Sequence, residues 1–268
     1  MKLYHYTKCD IFIDKILRDK RLKFGDFKET NDPSEFIRYC SLAGSTLPHN
    51  KQELLSEQFF KEIFSYKALC FSMSNDKREG WQLPCMWAHY GNNHKDICIE
   101  LDLDQLSKIN IISGPIHYDD SYSISNFNFE SGDSDEKKIV NDYIIENTEQ
   151  LFFKKERDWE IEQEYRFISK SEEYLDITNA ITAVYMGVRN LWNSERAKSL
   201  YKFLENKSIE LYFLESKREN NGRYLNSYEL YSYIDVRDRN IAIFEKLRNE
   251  KENRDIYNYL TRIYLGLI

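Results

Sequence analysis

The segment Asp158-Trp159-Glu160-Ile161-Glu162-Gln163-Glu164-Tyr165-Arg166-Phe167-Ile168 sets carboxylates at alternate positions and then runs into an apolar tail. Successive side chains of a β-strand point to opposite faces. Read as extended chain, Glu160, Glu162, Glu164 and Arg166 share one face, with Ile161, Tyr165 and Phe167 on the other. Adjacent like charges on one strand face repel, so a fold that keeps them there often uses them. A helical turn with solvated charges is the other reading of the same residues.

With only 9 Gly and 4 Pro in 268 residues, little material is left for linkers, and 20 Tyr, 16 Phe and 4 Trp argue against disorder. One compact domain over residues 1–235 is expected, followed by a helical extension over 236–268. Strands are expected at Leu3 to Thr7, Leu22 to Phe24, Tyr66 to Phe71, Ile97 to Asp102, Ala180 to Val188 and Ile209 to Leu214. Helices are expected after a cap at Asp10, and over Lys51 to Phe64, Pro84 to Tyr90, Glu136 to Lys154 and Ser194 to Glu205. Strands interspersed irregularly with helices place the chain in the α+β class. From Asp119 to Asp135 the residues are Ser-, Asn- and Asp-rich without periodicity, as in a surface excursion.

The formal net charge of −7 speaks against a broadly basic nucleic-acid-binding surface. Five cysteines, Cys9, Cys40, Cys70, Cys85 and Cys98, form no C-x-x-C pair and fit reduced thiols in a cytoplasmic protein. No apolar run approaches the roughly 18 residues of a membrane span, so no membrane partner is expected. The G-x-G-x-x-G and G-x-x-x-x-G-K phosphate loops and the serine nucleophile elbow are absent, which sets aside dinucleotide-binding oxidoreductases, P-loop NTPases and common hydrolases.

Three further segments carry side chains suited to chemistry. His5 lies between Tyr4 and Tyr6 on the first expected strand, as a structural or a catalytic imidazole. Asn31-Asp32-Pro33-Ser34-Glu35 is either a turn leading into a helix or a substrate-facing loop. Met86-Trp87-Ala88-His89-Tyr90-Gly91 puts two aromatic rings and an imidazole on one helical turn, as core or as the wall of a pocket for a flat ring. His89 and His94 are five apart and share no helical face, so no metal ligands are assigned.

Tyr4-His5-Tyr6, Asn31 to Glu35 (N-D-P-x-E), Cys70-Phe71-Ser72, Met86 to Tyr90 (M-W-x-H-Y) and Trp159 to Arg166 (W-x-x-E-x-E-x-R) occur in this order over roughly residues 1–215. In these blocks the chain resembles a bacterial family of unknown function, domain of unknown function 2971. It is also similar, more loosely, to the His–Tyr–Glu branch of ADP-ribosyltransferase-like folds, which split NAD at the nicotinamide–ribose bond. His5-Tyr6-Thr7 followed by Ile13-x-x-Ile16-Leu17 is similar to that branch's first strand and helix. Leu69-Cys70-Phe71-Ser72 with Trp87 and Tyr90 is similar to its middle motif, and Glu164-Tyr165-Arg166-Phe167-Ile168 to its late strand, which a catalytic glutamate opens.

That resemblance implies a split antiparallel sheet with surrounding helices and a C-terminal helical appendage. It also implies NAD as a substrate, with Glu164, Glu162, His5 and Tyr90 in catalytic roles. Tyr6, Thr7, Ser72, Trp87, Arg166, Asn31 and Asp32 would line the NAD site. The ADP-ribose acceptor would be a protein, a nucleic acid, a small molecule or water, and the biological role that of a toxin or antiviral effector. Two other readings stand beside this one. One is a catalytically silent module that binds a nucleotide or a protein; the other is a nuclease in which Asp32, Glu162 and Glu164 gather Mg²⁺.

Overall fold

Ile97–Asp102 is apolar almost throughout, as a strand covered on both faces must be, and it lies between two neighbouring strands. It belongs to a computed structural model that describes residues 1–32, 35, 49–120, 135–190, 195–207, 209–218 and 224–249. Most of the expected excursion from Asp119 to Asp135, Pro33, Ser34, Cys40 and the last part of the C-terminal extension lie outside the described residues.

The described strands, in chain order, are β1 (Lys2–Thr7), β2 (Arg21–Lys23), β3 (Gly25–Asp26), β4 (Lys67–Met73), β5 (Ile97–Asp102), β6 (Ile112–Pro115) and β7 (His117–Asp119). They continue with β8 (Lys154–Glu156), β9 (Glu164–Ser169), β10 (Tyr174–Asp176), β11 (Ile181–Met186), β12 (Glu210–Arg218) and β13 (Tyr224–Ser232). With the helices, they form a mixed α+β protein, as expected. The chain divides into two compact units, one built from Met1–Lys20, Ser74–Gln105 and the chain from Thr178, the other from Arg21–Met73 and Leu106–Ile177.

In the first unit the strands follow the order β13-β12-β11-β5-β1. Neighbours are antiparallel except β11 and β12. A parallel pair needs a crossover, and the helix Glu195–Glu205 supplies it, burying Ala197, Leu200 and Leu204 at helical spacing. Tyr4, Tyr6, Trp81, Trp87, Cys98, Ala183, Tyr185 and Leu214 make one core cluster. The helix Tyr233–Asn249 packs on β12 and β13, with Tyr233 stacked 4.2 Å from Tyr201.

The first helical stretch runs through Cys9–Ile11, Phe12–Ile16 and Leu17–Asp19, with a π-helical middle. Asp10 does not cap it: Lys8 occupies the cap position and Asp10 lies inside the first turn. The open N–H of Cys9 instead donates to Asp96 Oδ1 at 3.1 Å, a carboxylate brought in from the residue preceding β5. Asp96 is buried, so this cap also carries the helix dipole in a shielded place. Asp96→Ala is expected to lower stability by about 1–2 kcal/mol in urea denaturation, and Asp96→Asn by less.

In the second unit β9 lies between β4 and β6, antiparallel to both, and β3 pairs with β4. Two small sheets accompany this one, β2 with β10 and β7 with β8. The helices His49–Ile63, Glu136–Glu146 and Thr148–Phe152 contribute Leu55, Phe59, Val140, Ile144 and Phe152 to a core that includes Phe27 and Ile168. The helix expected over Glu136 to Lys154 breaks at Asn147 and ends at Phe152. The residues that follow become β8, whose Lys155 pairs with Tyr118 of β7.

Candidate functional site

The extended reading of the carboxylate segment holds from Glu164 onward and is corrected before it. Arg157–Glu162 is a 3₁₀ turn and Gln163 is left-handed, at φ 48°. The Gln163 side chain donates to Glu160 O at 2.7 Å, which holds that turn. Glu160 therefore does not share a strand face with Glu164, and Ile161 is exposed. Strand β9 begins at Glu164, and Glu164 and Arg166 do fall on one face.

These two side chains are the centre of a buried ionic cluster. Arg166 is fully buried, and its Nε donates to Glu164 Oε1 at 2.7 Å while Nη2 donates to Oε2 at 3.3 Å. Its Nη1 donates both to Phe152 O, at 2.9 Å, and to Glu35 Oε1, at 2.5 Å. Below the guanidinium lies the ring of Phe27, 5.6 Å away. Lys155 Nζ, itself buried, bridges Glu162 Oε2 at 2.8 Å and Glu164 Oε2 at 2.7 Å, and faces the ring of Trp159. The backbone N–H of Glu164 donates to the hydroxyl of Tyr118 at 2.8 Å.

Three carboxylates thus surround two cations. Burial opposes ionisation of Glu164, but the charges of Arg166 and then Lys155 outweigh it and hold the pKa down at about 2, against an ordinary 4.5. Lys155 moves the other way: burial disfavours its charge, yet Glu164 and Glu35 keep its pKa above the usual range. Burial, and the charge of Glu164, push the Tyr118 phenol up.

A carboxylate with a depressed folded-state pKa contributes stability that is complete above its unfolded pKa and vanishes as pH falls through the folded one. Glu164 is therefore expected to contribute on the order of 3 kcal/mol near neutral pH. That contribution disappears between pH 4.5 and about 2. Urea denaturation across this window checks it: the loss should shrink markedly in Glu164→Gln.

The surroundings of the cluster are drawn from earlier parts of the chain than β9. Ser72 of β4 stands opposite Glu164 in the ladder, and Cys70 opposite Arg166. Directly opposed residues of an antiparallel pair share a face, so all four side chains point to the same side. Asp32 is buried, and its carbonyl accepts from the backbone N–H of Glu35 at 3.1 Å. Among the described residues no group of three or more His, Cys, Asp or Glu side chains is arranged to hold a metal ion. Lys155 and Arg166 stand where a cation would have to bind Glu162 and Glu164.

Of the residues singled out in the sequence, Asn31, Asp32, Ser72, Glu162, Glu164 and Arg166 belong to the second unit. There Glu162, Glu164 and Arg166 join one network, with Ser72 on the same face as Glu164. His5, Tyr6, Thr7, Trp87 and Tyr90 belong to the first unit. His5 lies in the middle of β1, opposite Ile99, and is half-buried. Tyr6 and Trp87 are core: their rings meet edge to face at 5.0 Å, Tyr6 Oη donates to Gly80 O, and the Trp87 indole donates to Trp81 O. Tyr90 closes the helix Pro84–His89 and packs half-buried against the same cluster.

Lys155 and Glu35 were not among the expected site residues. Lys155 falls in a Lys-Lys pair that reads as the solvated end of a helix, and nothing local signals its burial. Glu35 had a signal, its place in the N-D-P-x-E block, but its partner Arg166 is 131 positions away.

No curated protein and no solved structure matches the chain. Residues 86–167 match the model of a family described as a protein of unknown function (DUF2971). The stretch opens on the M-W-x-H-Y block and closes just past the W-x-x-E-x-E-x-R block, so it takes in Lys155, Glu162, Glu164 and Arg166, while Glu35, Cys70 and Ser72 lie before it. Over that stretch the chain is similar to the DUF2971 family, the resemblance expected from its motifs.

Proposed function

We propose that the protein consumes NAD by breaking its nicotinamide–ribose bond, as an ADP-ribosyltransferase or NAD glycohydrolase with an ADP-ribosyltransferase-like fold. The observation that carries the reading is Glu164, a carboxylate that opens β9 and stays ionised at every physiological pH. When the C1′–N bond breaks, nicotinamide leaves with the electron pair and positive charge develops on the ribose, as in glycoside hydrolysis. A fixed anion beside that ring stabilises the charge. Water or an acceptor then attacks C1′ and releases a proton. With a pKa near 2 Glu164 cannot act as a general acid, so its part is electrostatic.

Other placements support the reading. His5 sits on the first strand, Ser72 lies near the end of β4 facing Glu164, and Glu162 precedes Glu164 by two residues. The cluster holds one more carboxylate than it has cations, which favours a developing cation over an anion. One observation favours the alternative, a catalytically silent binding module: both oxygens of Glu164 already have partners in Arg166 and Lys155.

Nicotinamide release from NAD by the full chain in EDTA, with and without cell lysate as a source of acceptors, separates the two readings. Release that disappears in Glu164→Gln supports glycosidic cleavage. No release under either condition overturns it in favour of the silent module.

A further inference from the structure

Among the described residues of the second unit, three buried side-chain oxygens have no hydrogen-bond partner, Thr30 Oγ1, Glu35 Oε2 and Ser72 Oγ, and the last two concern the ionic cluster. Such groups are costly to leave unpaired in a folded protein. Both flank the same pair of charges. Glu35 holds Arg166 through its other oxygen, Oε1, and Ser72 shares the strand face of Glu164 and Arg166. Both side chains are more than nine-tenths buried, with exposures of 2% for Glu35 and 0% for Ser72.

Solvent nevertheless reaches this face. Along β4, Ala68 and Ser72 are buried, while Cys70 between them is exposed, directly opposite Arg166. Burial by the surrounding protein, then the charge of Glu164, pushes the Cys70 thiol pKa well above its ordinary value. Cys70 is therefore where this face of β4 meets solvent.

The chemistry of the two oxygens limits what would pair with them. A carboxylate oxygen only accepts, whereas a serine hydroxyl both donates and accepts. A guest carrying a fixed charge would meet both signs here, Arg166 and Lys155 together with Glu35, Glu162 and Glu164. A neutral pair of neighbouring hydroxyls satisfies both atoms, one donating to Glu35 and the other exchanging a hydrogen bond with Ser72. We infer that Glu35 and Ser72 form a subsite for a sugar diol beside Glu164, entered past Cys70. The inference rests on the NAD-consuming reading for the identity of the sugar, the ribose that carries nicotinamide. It gives the N-D-P-x-E block a ligand contact through Glu35.

Calorimetric titration of the full chain with ADP-ribose and with ADP tests this, because the two differ by that terminal ribose. ADP-ribose is expected to bind at least about tenfold more tightly than ADP, and the advantage to fall below about threefold in Ser72→Ala and in Glu35→Gln. Ser72→Ala is the decisive variant. It removes a hydroxyl without a partner in the fold, so its Tm should be unchanged or raised while the ribose advantage falls. Maleimide labelling of Cys70, followed by peptide mass, should be slowed by ADP-ribose and not by ADP.

Equal affinity for ADP and ADP-ribose in the wild type overturns the subsite, as does an advantage that survives Ser72→Ala. The two proposals fail separately. A Ser72-dependent ribose advantage without nicotinamide release keeps the subsite and removes the catalytic reading; release with no such advantage does the reverse.

Discussion

Arg166→Met is expected to lower the unfolding free energy by on the order of 3–5 kcal/mol, the loss that follows removal of one partner from a buried ion pair. Methionine is close to arginine in length and leaves little cavity, so the effect is electrostatic. Without the guanidinium, Glu164 Oε1, Glu35 Oε1 and Phe152 O, all on buried residues, lose their donor. Urea denaturation of the full chain measures it. Adding Glu35→Gln to Arg166→Met should restore part of the loss, because one uncompensated charge is then gone. A loss below about 1 kcal/mol would mean that Lys155 alone neutralises the carboxylates, and that the network is weaker than its geometry implies.

The second large effect is on turnover. Under the catalytic reading, Glu164→Gln should reduce nicotinamide release by about 10²-fold to 10³-fold or more, since it removes the charge facing the developing cation and keeps the shape. The loss should fall on kcat with little change in KM, as expected for an interaction made in the transition state. The amide also sets an N–H group against a donor of Lys155 or Arg166, so stability must be measured alongside. Glu164→Asp is the control: it restores the charge with a shorter reach and should recover part of kcat. Equal turnover in wild type and Glu164→Gln would remove Glu164 from the chemistry.

How much of this was legible in the sequence depends on how local the cause is. Ile97–Asp102 and Pro84–His89 were readable because an apolar run and a proline-led turn act within a few residues. β6, β7, β8 and β10 were not, since each is at most four residues long and exists through its partner. β13 was missed because Asn226, Ser227 and Glu229 dilute its apolar signal, and at the end of its sheet it needs fewer apolar positions. The Asp10 cap failed for a related reason: the acceptor for that helix arrives from Asp96, 87 positions away.

The same distinction runs through the site. Glu164 and Arg166 were legible because alternation within one strand puts them side by side. Lys155 was hidden because its burial is set by Glu162, Glu164 and Trp159, which meet it only when the 3₁₀ turn Arg157–Glu162 folds back. Glu35 was named as part of a motif, but its pairing with Arg166 is a property of the fold. Of the carboxylates expected on one strand face only Glu164 is there, beside Arg166; Glu162 joins it from the 3₁₀ turn, through Lys155, which the pattern did not contain.

Neither unit is a continuous stretch of chain, and this bears on the order in which the protein is made. Every described strand of the second unit has been synthesised once Ile177 has emerged, whereas the first unit still lacks β11, β12 and β13. Translation from the N-terminus therefore delivers the residues of the ionic cluster before the sheet that carries His5 has its full set of strands. During that interval β1 and β5 have their mutual pairing available, but the later edge of β5 waits for β11. A nascent chain paused there exposes an apolar strand edge, which makes the stretch from Thr178 to Ser232 the part of the message where slow decoding would favour aggregation.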